Sequence, residues 1–256
     1  MKKIEFIQYL EEYLKIKDFD DNSQNGLQVD NEKEEISKIG YSVDATAYIF
    51  EKARDEKVDL VLCHHGLFWG QEEVITGVVF KRIQTLIQNN IALFACHLPL
   101  DAHNELGNNI GLLQAFIRIF KLQEYEIETF GEYHGQTIGY GIRFKEDIYI
   151  DTLITLFAEQ VGLEKKLYNF GKKDCIHSIA FMSGAGGSDI KEASEKDYDA
   201  FLTGEAKHSE ICLAKDLGLS VCIGGHRETE TIGPKLLAEH LREKFGIEIV
   251  FLDEKY

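Results

Sequence analysis

No stretch of this chain stays apolar for the roughly 20 residues that a membrane-spanning helix needs. Positive charge is also scarce: 28 Lys and Arg stand against 44 Asp and Glu, for a net charge of −16. A surface that acidic repels a phosphate backbone, which argues against a large nucleic-acid interface. A small nucleotide held in a pocket near metal ions stays compatible with it. Thiol chemistry is thin. The five cysteines (63, 96, 175, 212 and 222) are odd in number and none forms a CxxC pair. Cys63, Cys96 and Cys222 fall inside apolar strand-like runs and read as reduced core residues. The opening "MKKIEFIQYLEEYL" sets acids among its apolar residues and spaces Ile4, Ile7, Leu10 and Leu14 at helical intervals. That is an amphipathic helix rather than a signal peptide. A cytoplasmic protein is the expectation.

What is present suits a soluble α/β protein. The 256 residues, 44% apolar and 28% charged, fit one large domain or two smaller ones with a full core. Strand patterns fall at 36–43, 58–63 and 91–96, with helical patterns near 45–56, 79–89 and 106–120. A less regular segment, 123–175, precedes apolar runs at 178–182, 199–203 and 219–223, again alternating with helices. Such alternation implies βαβ units and mostly parallel or mixed sheets.

The two sets overlay. "KIGYSVD" (38–44) lies over "SIAFMSG" (178–184) and "DLVLCHH" (59–65) over "DAFLTGE" (199–205), both at an offset of 140. "FACHLPLD" (94–101) lies over "CIGGHRETE" (222–230) at a shorter offset, which matches His97 with His226 and Asp101 with Glu230. The expected architecture is two similar α/β halves, 1–122 and 123–256, with polar groups at the carboxyl ends of their strands. Open α/β sheets bind ligands there.

His64, His65, His97, Asp101, Glu205, His208, His226 and Glu230 all fall at those ends. Imidazole and carboxylate without thiolate suit zinc, manganese, iron or cobalt. Consecutive strand residues point to opposite faces, so the adjacent His64 and His65 are most simply used one per metal ion. Asp101 and Glu230 could then bridge two ions. Two divalent cations, two carboxylates and a bridging hydroxide leave a residual charge of about +1, able to attract an anionic substrate. His97, ahead of "LPLD", could instead orient a ligand from behind. Phe68 and Trp69 read as packing residues rather than as a base-stacking platform. "MSGAGGSD" (182–189) is a glycine-rich strand-to-helix turn of the kind that can offer backbone N–H groups to a phosphate, although a tight turn needs its glycines anyway.

The stretches "NSQNGLQV" (22–29), "SVDAT" (42–46), "DLVLCHHGLFW" (59–69), "CHLPLDAHNELGNN" (96–109), "GAGG" (184–187), "DAFLTGEAKH" (199–208) and "GGHRETE" (224–230) together resemble the Ngg-interacting-factor-three-like family. Many bacterial members carry the label GTP cyclohydrolase 1 type 2 homolog, and this chain is similar to the short form. The resemblance implies a dinuclear metal site between the two halves, with ligands at His64, His65, Asp101, His226 and Glu230. It also implies a ring-shaped homohexamer, a trimer of dimers. "HGQTIGYG" (134–141) and the single His208 after "TGE" depart from the usual family pattern.

Two functions follow. The first is a two-metal hydrolase acting on a nucleotide through a metal-bridged hydroxide; with GTP it would attack C8 of guanine and release formate. Glu205 or Glu230 would move the proton, and His97 would position or protonate the substrate. The choice of GTP rests on the family label alone. The second is a metal-binding scaffold or regulator without turnover.

Overall fold

The computed structural model describes residues 1–71 and 73–253. The opening helix α1 (Lys3–Tyr13) buries Phe6 and Leu10 and leaves Ile4 on its outer side. Strand β1 (Gly26–Val29) follows, then β2 (Lys38–Asp44), helix α2 (Ala47–Asp55), β3 (Leu60–His65), α3 (Gly77–Gln88), β4 (Ala92–Ala95) and the single turn α4 (Leu98–Asp101). Thr46 starts α2 by accepting a hydrogen bond from the Ile49 N–H, and Lys52 and Arg54 sit in its last turn.

Helix α5 (Asn108–Phe120) leads into a long hairpin of β5 (Tyr125–Tyr133) and β6 (Gln136–Tyr149). A wide helical turn at 153–157 continues as α6 (Ala158–Val161), followed by β7 (Lys166–Tyr168) and β8 (Cys175–Met182). Then come α7 (Ile190–Glu195), β9 (Ala200–Thr203), α8 (His208–Leu217), β10 (Ser220–Ile223), α9 (His226–Glu230), α10 (Ile232–Phe245) and β11 (Glu248–Phe251). No helix among the described residues is long and apolar enough to cross a membrane.

These elements form two units, one of Met1–Leu100 with Gly233–Tyr256 and one of Asp101–Ile232. The first unit holds a five-stranded sheet in the order β1-β4-β3-β2-β11. Its four strands from β4 to β11 run parallel, and β1 is antiparallel at the edge. Leu60 to Cys63 are fully buried, as a central parallel strand covered on both faces requires. Cys63 lies there among Val61, Phe50 and Leu93, and burial pushes its thiol up, so it is an inert core residue. In the second unit the order is β5-β6-β8-β9-β10-β7, with β8, β9 and β10 parallel and the rest antiparallel. Cys222 is buried in that core, and its thiol is pushed up to about 12 by burial.

The internal repeat is real in the hydrogen-bond register. Ile39 pairs with Leu60 across β2 and β3, and Ile179 pairs with Ala200 across β8 and β9. The offset of 140 that aligns the sequences carries the first pair onto the second.

Two features differ from the sequence reading. The units do not divide at 122/123. Helix α5 belongs to the second: Leu112, Leu113 and Phe116 pack with Ile142, Phe157 and Phe181. Conversely, β11 pairs with β2, and Tyr9 of α1 bonds His240 of α10, so the C-terminal segment returns to the first unit. Amphipathic spacing shows that a helix has a core face but not which sheet it covers. The segment 123–175, which looked irregular, holds the β5–β6 hairpin, the turn at 153–157, α6 and β7. Its glycines and charges weaken the alternation that marks a strand.

Candidate metal centre

In the first unit, β3 ends on His64 and His65, and β4 leads directly into His97. Ending the strand is what lets neighbouring side chains converge. The His64 and His65 rings lie 4.8 Å apart, and His97 lies 5.1 Å from His64. The next residue has to be glycine. A Cβ on Gly66 would come within 2.6 Å of Ala95 Cβ, closing the space between the β3 turn and β4. One ligand-capable atom from each of His64, His65 and His97 lies within 4.8 Å of the others.

Each imidazole is oriented through Nδ1. His64 Nδ1 is 2.9 Å from the Cys96 carbonyl oxygen, and His65 Nδ1 is 2.8 Å from Asp44 Oδ1. His97 Nδ1 is 3.0 Å from Asp21 Oδ1. A carbonyl and a carboxylate only accept, so Nδ1 carries the proton in all three rings and the neutral imidazole keeps its lone pair on Nε2. Burial alone would raise the Asp21 carboxyl. Hydrogen bonds from His97, Asn25 and the Ser23 N–H outweigh it and hold the group at about 2. Asn25 also accepts from the His97 N–H at 2.7 Å, and Gln28 accepts from the Leu67 N–H at 2.6 Å. The "NSQNGLQV" segment thus braces both histidine-bearing turns.

The second unit gathers carboxylates. His226 and Glu230 stand one turn apart on α9, with His226 Nε2 3.2 Å from Glu230 Oε2 and Nδ1 3.3 Å from Glu205 Oε1. The hydrogen bond to Glu230, with further attraction from both acids, overcomes burial and raises His226 to about 9. A cation taken up there has to displace that proton. Asp101 is 4% exposed, and its Oδ1 accepts from Asn108 Nδ2 at 2.9 Å and Ser183 Oγ at 3.1 Å. Gly184 lets the backbone pass beside Glu230: its φ is +61°, and a Cβ there would lie 2.2 Å from Glu230 Oε1.

The donors fit a divalent ion of intermediate softness. The first unit offers imidazole nitrogens with the tautomer set from behind, the arrangement found behind metal-bound histidines. The second offers two buried carboxylates, of which Asp101 is already bonded to a neighbouring amide and a hydroxyl group. Of the residues expected at strand ends, His64, His65 and His97 come together in one unit, and His226, Glu205 and Glu230 in the other. His208 does not join them. It begins α8 on the surface, with Nε2 3.5 Å from Cys212 Sγ.

Two further expectations change. Three amides of the glycine-rich turn are used within the fold: the Ser183 N–H donates to Asn109, and those of Gly184 and Gly186 donate to Thr229 and Thr203. Phe68 packs against the first core as expected, whereas Trp69 keeps an exposed face. It is 37% exposed beside the imidazoles. Asp21, Asn109 and Ser183 were missed as supporting residues. Ser183 and Asn109 lie inside the quoted motifs, whereas Asp21 stands one residue before "NSQNG" and carries no local signal.

The Duf34/NIF3 (NGG1p interacting factor 3) family profile matches residues 1–256. A GTP cyclohydrolase 1 type 2 homolog from Pyrococcus abyssi is 40% identical over 254 residues, covering 99% of this chain and 98% of that one. Its counterpart from Pyrococcus horikoshii is 42% identical over 255 residues with the same coverage. Among solved structures, TTHA1606 from Thermus thermophilus matches with a TM-score of 0.86 at 38% identity, over 100% of this chain and 99% of that one. Reduced HcgD from Methanocaldococcus jannaschii matches with a TM-score of 0.81 at 27% identity, over 99% and 98%.

Proposed function

The chain belongs to the Duf34/NIF3 family, and on that premise we propose that it is a metal-dependent hydrolase acting on a nucleotide. The observation that carries the reading is the set of three imidazoles, each with Nδ1 tied to an acceptor and its lone pair on Nε2. A structural histidine needs no such convergence. His64, His65, Asp101, His226 and Glu230 are the residues that would hold two divalent ions, zinc, manganese, iron or cobalt. Such ions, when bound, would supply a water acidified to a pKa of about 7 and polarisation of the bond to be broken.

The chain's own groups supply the rest. His97, with its Nδ1 proton held by Asp21, is set to take or give a proton at Nε2. Glu205 stays exposed while Glu230 is buried, so Glu205 suits exchange of protons with solvent and Glu230 suits a ligand. The names of the relatives support a guanine nucleotide as the first substrate to try. The family resemblance also supports a homohexamer, for which light scattering would return a mass of about six chains.

The test is His97→Ala, with metal content and nucleotide turnover read on one sample. The metal should stay, and turnover should fall roughly 10²–10⁴-fold, the usual worth of a positioned acid or base. Unchanged turnover would leave His97 a structural residue. Loss of metal would make it a ligand.

A further inference from the structure

Trp69 is the single tryptophan of the chain, and its position is unusual for so large an apolar side chain. Its neighbour Phe68 turns into the core of the first unit. Trp69 turns the other way. Its Nε1–H donates to the Gly66 carbonyl oxygen at 2.9 Å, which anchors the polar edge of the indole to the turn after the two histidines. Its backbone is bridged to Ser23, and the Gln24 N–H donates to the Phe68 carbonyl at 3.0 Å. The turn is therefore held on both sides. The ring centroid lies 5.0 Å from that of His97, at 72°, and 5.9 Å from that of His65. With 37% of the residue exposed, an immobilised aromatic surface is left open beside the imidazole cluster.

Leaving an indole open costs hydration free energy that core packing would recover. The hydrogen bond at Nε1 satisfies its one polar atom, so the ring has only its π surface left to offer. Net charge bears on what that surface takes. At −16 the protein repels phosphate at long range, so a contact to the uncharged part of a nucleotide adds affinity that this repulsion does not offset. We propose that Trp69 is the stacking platform for the planar heteroaromatic ring of the substrate, a nucleobase, which it holds against His65 and His97. This rests on the nucleotide reading above and names the part of the nucleotide that the site recognises.

Because the chain has one tryptophan, its emission reports position 69 alone. Titrating metal-loaded protein with guanosine should quench that emission saturably, and ribose 5-phosphate should not. Equilibrium dialysis of guanosine against Trp69→Leu should show binding weakened about tenfold or more, as loss of one base–aromatic stack does. Trp69→Phe should stay within about threefold of wild type, and metal content should be unchanged in both. Equal quenching by ribose 5-phosphate would overturn the proposal, as would wild-type guanosine affinity in Trp69→Leu. Saturable quenching by guanosine without turnover would uphold the platform and remove the hydrolase. Turnover without guanosine quenching would do the reverse.

Discussion

Asp21 grips His97 from behind: its carboxylate oxygens lie 3.0 and 3.1 Å from His97 Nδ1, and Oδ2 also accepts from the Leu98 N–H at 3.0 Å. One buried acid thereby sets both the tautomer of the imidazole and the path of the turn that carries it. Asp21→Asn keeps the shape but removes the charge, and its amide can present a donor to Nδ1. Turnover should fall about 10–100-fold, the usual effect of removing such a partner, while the fold is retained. A steady-state comparison with a circular dichroism spectrum of the same sample checks this. Wild-type turnover in the variant would show that the dyad only braces the turn.

Gly184 is the second pressure point. At φ +61° with Glu230 Oε1 2.2 Å from a notional Cβ, Gly184→Ala strains the backbone and displaces the carboxylate. It should destabilise the protein by about 1–3 kcal/mol and lower metal content. Chemical denaturation and elemental analysis read the two effects separately. An unaltered metal content would mean that Glu230 is not a ligand.

Acid–base behaviour away from the site gives a third expectation. Burial, then the charges of Glu192 and Glu210, push the Asp189 carboxyl up to about 6 from an ordinary 3.8. The folded state therefore prefers the protonated acid. That contribution to stability is complete below about pH 4 and is lost as pH rises through about 6. Asp189→Asn keeps a neutral side chain at every pH. Discounted for the partial exposure of the carboxyl, it should stabilise the protein at pH 8 by roughly 1–2 kcal/mol and by no more than about 0.5 kcal/mol at pH 4. Thermal melts at the two values decide it, and equal differences at both would remove the electrostatic explanation.

Most of what places the site was legible in the residues. Strand ends at His64, His65 and His97 follow from apolar runs bounded by polar residues, and the repeat predicted a register that β2–β3 and β8–β9 share. The hidden parts have physical causes. Asp21 is an ordinary loop acid until the chain brings it to residue 97. The sheet that α5 covers is a choice among apolar surfaces that periodicity does not encode. The residues around Trp69 suit a packing side chain; its 37% exposure, with the indole N–H held by the Gly66 carbonyl, becomes visible only in the folded turn. The glycine-rich turn could be an anion cradle or only a tight turn by its residues, and the side chains of Asn109, Thr203 and Thr229 that take three of its amides are not encoded locally.

The central claim is that bound divalent ions make this chain a hydrolase. Its most direct test is nucleotide turnover by chelator-stripped protein as manganese or zinc is added back in known equivalents. Turnover should be absent at zero, rise with added ion and level off at about two per chain, the number a bridged two-metal site takes up. Ions that bind with no turnover of any nucleotide at any equivalence would contradict the account and leave a metal-binding scaffold in its place.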